Sequence, residues 1–385
     1  MPSFDFHCPT RIVHGPGRLP ELGELARSLG DVERVMVVSD PGVVAAGHTA
    51  RGIASLEQAG LQTRLFDGLR ENPTTDHVDA GLAVAREFRP DAIIAIGGGS
   101  SMDCGKGVNF LYSCGGRMQD YWGVGKATGP LLPMIAVPTT SGTGSETQSF
   151  ALISDAQSHR KMACGDKRAA FRVALLDPEL TITQPPRVTA LTGIDAIAHT
   201  LETLVTTKRN GMSAAFTREA WRLLSQGFPR VLAKPNDLTA RSWMQLGACY
   251  AGLAIENSML GAAHALANPL TASFGVVHGE AVGLMLPHVI RKNAAADGVP
   301  LAYQEVDAMI SYPAGRDPDG AVEHLASFVT SLAAEAGLAT RLADLDVPRE
   351  RLPALAADAT QQWTGTFNPL ALSESDFLEL YEAAY

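Results

Sequence analysis

Ten histidines occur in the 385-residue sequence. Three of them, His199, His264 and His278, lie in otherwise apolar stretches of its second half. Asp195 precedes His199 by one helical turn in Thr192-Gly-Ile-Asp-Ala-Ile-Ala-His199. On a helix the two share a face, so a carboxylate oxygen and an imidazole nitrogen can converge on one point. His264 stands in Gly261-Ala-Ala-His264, and His278 in Val276-Val-His278-Gly279. Polar groups in such surroundings require ligation or a hydrogen bond. One Asp with three His suits Fe²⁺ or Zn²⁺ rather than Ca²⁺ or Mg²⁺. The competing reading makes Asp195 and His199 an ion pair or cap, and the other two imidazoles partners of carbonyl groups. His159, His288 and His324 are read as ordinary structural or surface histidines.

A second chemical signal is a pair of Gly-rich turns. Gly97-Gly98-Gly99-Ser100 follows the apolar run Ala92–Ile96 and precedes a helical pattern containing Asp103 and Lys106. Glycines permit positive φ and close backbone approach, and the free N–H groups of a helix start suit a pyrophosphate. Pro138-Thr-Thr-Ser-Gly-Thr-Gly-Ser-Glu146 follows the run Met134–Val137 and offers several hydroxyls. Neither turn is G-x-G-x-x-G or G-x-x-x-x-G-K-[ST], so the standard Rossmann and P-loop motifs are both absent. Asp40, just past the run Val35–Val38, could accept hydrogen bonds from a ribose 2′-OH and repel a 2′-phosphate. Ser39-Asp40-Pro41-Gly42 reads equally well as a plain turn with Asp in its usual place.

Two kinds of element must position these residues. Up to about residue 183, the short runs 35–38, 92–96 and 134–137 read as strands. They alternate with helix-like stretches over 43–59 and 74–88, which predicts βαβ units and a parallel sheet. Such sheets bind ligands beyond the carboxyl ends of their strands. After the turn Gln184-Pro-Pro-Arg187 the strand signals largely stop, and 213–233 and 239–255 show helical spacing. The expected organisation is therefore an α/β domain over 1–183 and an all-helical domain over 184–385, with 315–320 as a solvent loop.

Composition narrows the function. At about 150 residues per domain, the length agrees with two domains. Hydrophobic residues form 46% and charged residues 19% of the chain, enough to build cores. The net charge of −10 lacks the basic footprint of phosphate-backbone binding, so no nucleic-acid partner is expected. Five cysteines without a C-x-x-C pair argue against a disulfide framework and a zinc ribbon, and fit a reducing cytoplasm. No signal peptide is visible. The uncharged stretch 257–279 holds Asn257, His264, Asn268, Pro269 and His278, a poor membrane span.

The ordered strings GGGSSMDCGK (97–106), PTTSGTGSE (138–146), DPELT (177–181), TGIDAIAHTLE (192–202), GAAHALANPL (261–270) and HGEAVGLMLPHV (278–289), with RIVHGPGRLPELG (11–23), resemble the iron-containing (group III) alcohol dehydrogenases. The resemblance implies a Rossmann-like dinucleotide-binding domain, a helical metal-binding and substrate domain, and an interdomain cleft. It implies an NAD-dependent oxidoreductase that exchanges hydride with a small primary alcohol or aldehyde, and a homodimer or larger assembly. Carried over by position, Asp195, His199, His264 and His278 ligate Fe²⁺ or Zn²⁺. Gly97, Gly98, Gly99 and Ser100 form the pyrophosphate loop with Asp103 beside it. Thr139, Thr140 and Thr143 line the nicotinamide side, and Asp40 selects NAD over NADP. Phe150, Ile255, Asn268 and Trp363 are candidates for the substrate pocket. Two departures stand out. A histidine frequent four residues after the third ligand is here Asn268, whose amide takes up no proton near neutral pH. The frequent N-P-R near the C-terminus is here Asn368-Pro369-Leu370. The alternatives are a dehydroquinate-synthase-like NAD- and metal-dependent lyase and a non-catalytic nucleotide- or metal-binding protein.

Overall fold

The computed structural model describes residues 3–158, 160–310 and 320–385. His159 and nearly all of the expected loop 315–320 fall outside the described residues. The chain forms two compact units, one spanning 7–184 and the other 185–385 together with 1–6. In the second of these, the Phe6 ring tilts against Phe216 at 5.8 Å.

The first unit carries strands β1 (Arg11–His14), β2 (Arg34–Val38), β3 (Gln62–Phe66), β4 (Ala92–Gly97), β5 (Gly123–Val124), β6 (Met134–Pro138), β7 (Phe150–Ser154), β8 (Lys161–Gly165) and β9 (Val173–Leu176). Its helices are α1 (Leu22–Arg27), α2 (Pro41–Ala45), α3 (His48–Gln58), α4 (Thr75–Phe88) and α5 (Gly99–Cys114). Six strands form a parallel sheet in the order β1-β9-β6-β4-β2-β3. The three expected strands are its centre. Their apolar runs are continuous because both faces are covered. Val35, Val37, Ile94 and Ile96 enter one core, while Met36, Val38, Ile93 and Ala95 enter the other.

The chain passes from β2 outward to β3, then returns to place β4 on the opposite side of β2. That reversal makes the carboxyl ends of β2 and β4 the switch point at which open α/β sheets bind ligands. The β7–β8 hairpin, with β5, builds a separate small sheet that the apolar-run reading does not foresee. The single helix expected over 43–59 is instead two. Gly47 adopts φ 80°, a left-handed conformation that ends the first helical segment and starts the next.

Among the described residues, 185–385 contains no strand. Its helices are α6 (Pro186–Val205), α7 (Gly211–Ala233), α8 (Leu238–Asn257), α9 (Ala262–Phe274), α10 (His278–Asn293), α11 (Val299–Asp307), α12 (Ala321–Glu335), α13 (Leu352–Ala359) and α14 (Glu374–Ala383). Helix α6 opens with Pro at its first position, where no N–H is needed, and is almost wholly buried from Thr189 onward. The uncharged stretch 257–279 is mostly α9, which runs through Pro269 and stops at Gly275 with φ 67°. Among the described residues, no helix is long and apolar enough to cross a membrane.

Close approach of helices depends on glycine at specific points. A Cβ on Gly279 would lie 2.1 Å from the Leu191 carbonyl oxygen, so the first turn of α10 rests directly on the α6 backbone. We expect Gly279→Ala to displace that turn and cost about 1–3 kcal/mol, the usual penalty of overpacking. A denaturant midpoint indistinguishable from wild type would show that α10 does not depend on this contact.

Candidate metal centre and cofactor turns

Helix α6 holds Asp195 and His199 on one face, α9 supplies His264 from its first turn, and α10 begins with His278. The three imidazoles surround one carboxylate oxygen. His199 Nε2 and His264 Nε2 each lie 3.5 Å from Asp195 Oδ1, and His278 Nε2 lies 3.9 Å from it. The His199 and His264 rings stack with centroids 5.0 Å apart, and His278 follows at 5.3 Å from His264. Ligand atoms of Asp195, His199 and His264 all fall within 4.8 Å of one another. His278 sits at the open side, its side chain 25% exposed against 5–7% for the others.

These separations fit a shared cation better than direct pairing. Four donors about 2.0–2.2 Å from a tetrahedral ion stand about 3.3–3.6 Å apart. Asp195 Oδ1 and His264 Nε2 are buried and find no hydrogen-bond partner among the described residues. Such an arrangement is costly unless something else satisfies it. Burial opposes the charge on Asp195, yet the facing histidines hold its carboxyl well below the usual range. Burial also acts against a charged His264, but Glu202 and Asp195 lift its imidazole to about 9.

Glu202, absent from the sequence-based candidates, contacts this cluster directly. One of its oxygens pairs with His264 Nδ1, and the other accepts the Ala263 N–H at 2.7 Å. Its signal was present: Asp195, His199 and Glu202 follow i, i+4, i+7 along one face of α6. The remaining histidines stand elsewhere. Burial and Arg291 push His288 down to about 4, which keeps it neutral. His324 faces Asp307 at 3.6 Å.

In the first unit, Gly97 and Pro138 are register partners at the ends of β4 and β6, so the two Gly-rich turns emerge side by side. The Thr139 N–H donates to the Gly97 carbonyl at 2.9 Å. A Cβ on Gly99 would meet Thr143 at 2.8 Å, and one on Gly98 would meet Thr140 at 3.2 Å. Gly97, Gly98 and Gly99 lack positive φ, so close approach rather than unusual backbone conformation requires them. Gly98 caps α5 without a side chain, leaving Gly99 and Ser100 at the helix start.

Asp40 caps its turn, as the plain-turn reading has it. Its Oδ1 accepts the Gly42 and Val43 N–H groups and caps α2, while Oδ2 accepts from Ser101 Oγ at 3.3 Å. A Cβ on Gly97 would stand 3.2 Å from that same Oδ2. Asp40 therefore borders the first Gly-rich turn at the switch point. Asp103 is largely occupied within the protein. It is buried, accepts from Ser145 Oγ at 2.7 Å, and lies 3.8 Å from Lys106.

The candidate pocket residues come from both units. Phe150 opens β7 in the first unit, its ring lying over Gly165, where a Cβ would come within 2.3 Å. Ile255 is buried near the end of α8. Asn268 stands one turn beyond His264 on α9 and donates to Gln362 Oε1 at 3.0 Å. Trp363 is 40% exposed and meets the Phe367 ring edge-on.

A parallel α/β unit with paired Gly-rich turns and a helical unit with an Asp-His-His-His cluster define an iron-type, dinucleotide-dependent dehydrogenase. The chain belongs to the iron-containing alcohol dehydrogenase family: residues 9–178 match its iron-containing alcohol dehydrogenase domain, and 189–385 match its C-terminal domain. It is 31% identical over 385 residues to the 1,3-propanediol dehydrogenase of Klebsiella pneumoniae, covering 99% of each chain. Its structure is similar to that of a 1,3-propanediol oxidoreductase, with a TM-score of 0.95, 30% identity and full coverage of both chains. It also resembles sulfoacetaldehyde reductase from Bifidobacterium kashiwanohense in complex with NAD⁺, with a TM-score of 0.89, 28% identity and coverage of 100% and 99%. These likenesses do not favour the lyase or the non-catalytic alternative.

Within the second Gly-rich turn, burial drives the Glu146 carboxyl up to about 7, only partly offset by its own backbone N–H and Lys106. The folded protein therefore holds this proton more tightly than the unfolded chain. Glu146 makes folding less favourable as pH rises from about 4.5 through 7, by up to about 3 kcal/mol. We expect Glu146→Gln to match wild type near pH 4 and to exceed it in stability above pH 7. Parallel denaturation curves at pH 5 and pH 8 check this, and an equal difference at both would contradict it.

Proposed function

We propose that the protein interconverts small primary alcohols and their aldehydes using NAD(H), at a single Fe²⁺ or Zn²⁺ held by Asp195, His199, His264 and His278. The observation that carries this reading is the convergence of three imidazoles on one buried carboxylate oxygen. When bound, the cation supplies a Lewis acid for the substrate oxygen, and the nicotinamide supplies or accepts hydride.

The chain's own residues prepare these events. Asp195 brings a negative charge to a site whose other donors are neutral when they ligate. His278, the most exposed of the four, borders the side from which a substrate oxygen can enter. Gly97, Gly98, Gly99 and Ser100 offer backbone and a helix start to a pyrophosphate, supported by their place at the end of β4. Thr139, Thr140 and Thr143, on the adjoining turn, are assigned to the nicotinamide side. Asp103 braces that turn through Ser145. Asp40 is assigned to the ribose hydroxyls, where its charge disfavours a 2′-phosphate.

Phe150, Ile255 and Asn268 are assigned to the substrate pocket. The amide of Asn268 donates to Gln362 and offers no titrating group, so no proton relay runs through it. A cytoplasmic location and a homodimer or larger assembly complete the proposal. The first is supported by five free cysteines, the second by the family alone.

Freshly purified protein should contain close to one Fe or Zn per chain by elemental analysis and consume NADH with short aldehydes. Asp195→Asn and His278→Ala should abolish turnover while NADH binding, followed by fluorescence, survives. Full activity of either variant in chelator-treated buffer would defeat the assignment. Asp40→Gly should raise the NADPH-to-NADH ratio of kcat/KM by about tenfold, equivalent to about 1.4 kcal/mol. Glycine is tolerated at an N-cap with a loss of only a few tenths of a kcal/mol, so the fold should persist. An unchanged ratio would remove Asp40 from cofactor selection.

A further inference from the structure

We infer that Glu202 is the positioning residue that fixes His264 as a ligand and, through it, sets how tightly the cation is held. This rests on the metal-site assignment above and extends it to a residue that has no ligand role.

Glu202 is buried on α6, three residues after His199, and both of its oxygens are committed to the first turn of α9. Oε1 accepts the Ala263 N–H at 2.7 Å and the His264 N–H at 3.4 Å, while Oε2 accepts from His264 Nδ1. The contact has a chemical consequence. A carboxylate oxygen accepts, so Nδ1 is the donor, and in the neutral imidazole that ligates a metal Nε2 is then the nitrogen with the lone pair. That lone pair is on the nitrogen 3.5 Å from Asp195 Oδ1, facing the position proposed for the cation. Glu202 thus specifies tautomer, ring orientation and the start of the helix that carries the ligand.

The surroundings hold Glu202 in place. A Cβ on Gly261 would stand 3.2 Å from Glu202 Oε1 and 3.1 Å from Asn368 Oδ1, so glycine leaves both acceptors access to the helix end. Asn368 Oδ1 accepts the Ala262 N–H at 3.3 Å, and Asn368 is locked by reciprocal hydrogen bonds with Asn293 at 3.0 and 2.7 Å. The third ligand therefore stands on a helix end gripped from α6 and from the C-terminal segment. This gives Asn368, whose neighbouring Leu370 departs from the family pattern, a structural purpose independent of that departure.

Glu202→Gln tests the inference because it keeps shape and removes the double acceptor. If its amide nitrogen faces His264, Nδ1 must accept and the proton moves to Nε2, the nitrogen needed by the cation. If the amide is turned over, its NH₂ opposes the Ala263 N–H. Either arrangement should weaken metal binding about 10–100-fold, the range found when a partner of a ligating histidine is removed. The measurement is the dissociation constant for Zn²⁺ by chelator competition, with the visible spectrum of the Co²⁺-loaded protein as a second readout and NADH binding as a control for folding.

An unchanged Zn²⁺ constant and Co²⁺ spectrum in a folded variant would overturn the role of Glu202. Failure of the wild type to bind either ion would overturn the metal-site reading itself. Should the amide variant not fold, Glu202→Asp carries the same test. Its carboxylate is drawn back by one methylene, so weaker Zn²⁺ binding is expected and an unchanged constant would overturn the inference.

Discussion

One electrostatic constraint organises the helical unit: a buried carboxylate oxygen with imidazole nitrogens at 3.5, 3.5 and 3.9 Å. Removing an isolated carboxylate from water costs several kcal/mol. A divalent cation at their centre would balance that charge and could take all four side chains as donors. The four side chains come from three helices separated in the chain, so their convergence ties α6, α9 and α10 together. The fold and the chemistry share the same contacts.

Small residues make the convergence possible. Gly279 lets α10 rest on the Leu191 carbonyl, Gly283 faces Ile194, and Gly193 faces the Phe228 ring. Each of these approaches would be closed by a single methyl group. Placing His278 beside Asp195 therefore depends on atoms that are absent as much as on those present. Glu202 and Asn368 complete the arrangement by supplying acceptors to the first N–H groups of α9, which has no side-chain cap of its own.

The sheet unit solves a different problem with the same economy of side chains. Parallel strands β4 and β6 end together, and their turns interlock because Gly98 and Gly99 lack the carbon that would strike Thr140 and Thr143. Behind them lies a wholly buried cation. Lys106 donates at 2.8 Å to the Ser145 carbonyl and hydroxyl and to the Phe150 carbonyl, with Asp103 balancing its charge. This network braces the second turn from α5. The two oxygens of Asp40 divide between holding α2 and facing the first turn.

Chain order and local pattern made much of this legible. Apolar runs located the central strands because a sheet covered on both sides demands uninterrupted hydrophobicity. The four-residue spacing placed Asp195 and His199 together because helical periodicity is a local property. Low-charge surroundings marked His264 and His278 as further candidates, and the resemblance of ordered motifs assigned all four to one cation. Tertiary structure decided what depends on distant segments. It determined the pairing of β1 with β9, the β7–β8 hairpin, the break at Gly47 and the committed state of Asp103. It also brought Glu202 against His264, 62 residues away. Local sequence reports which face a residue occupies; which partner meets that face is settled only when the helices pack, because burial energy is a property of the assembled core.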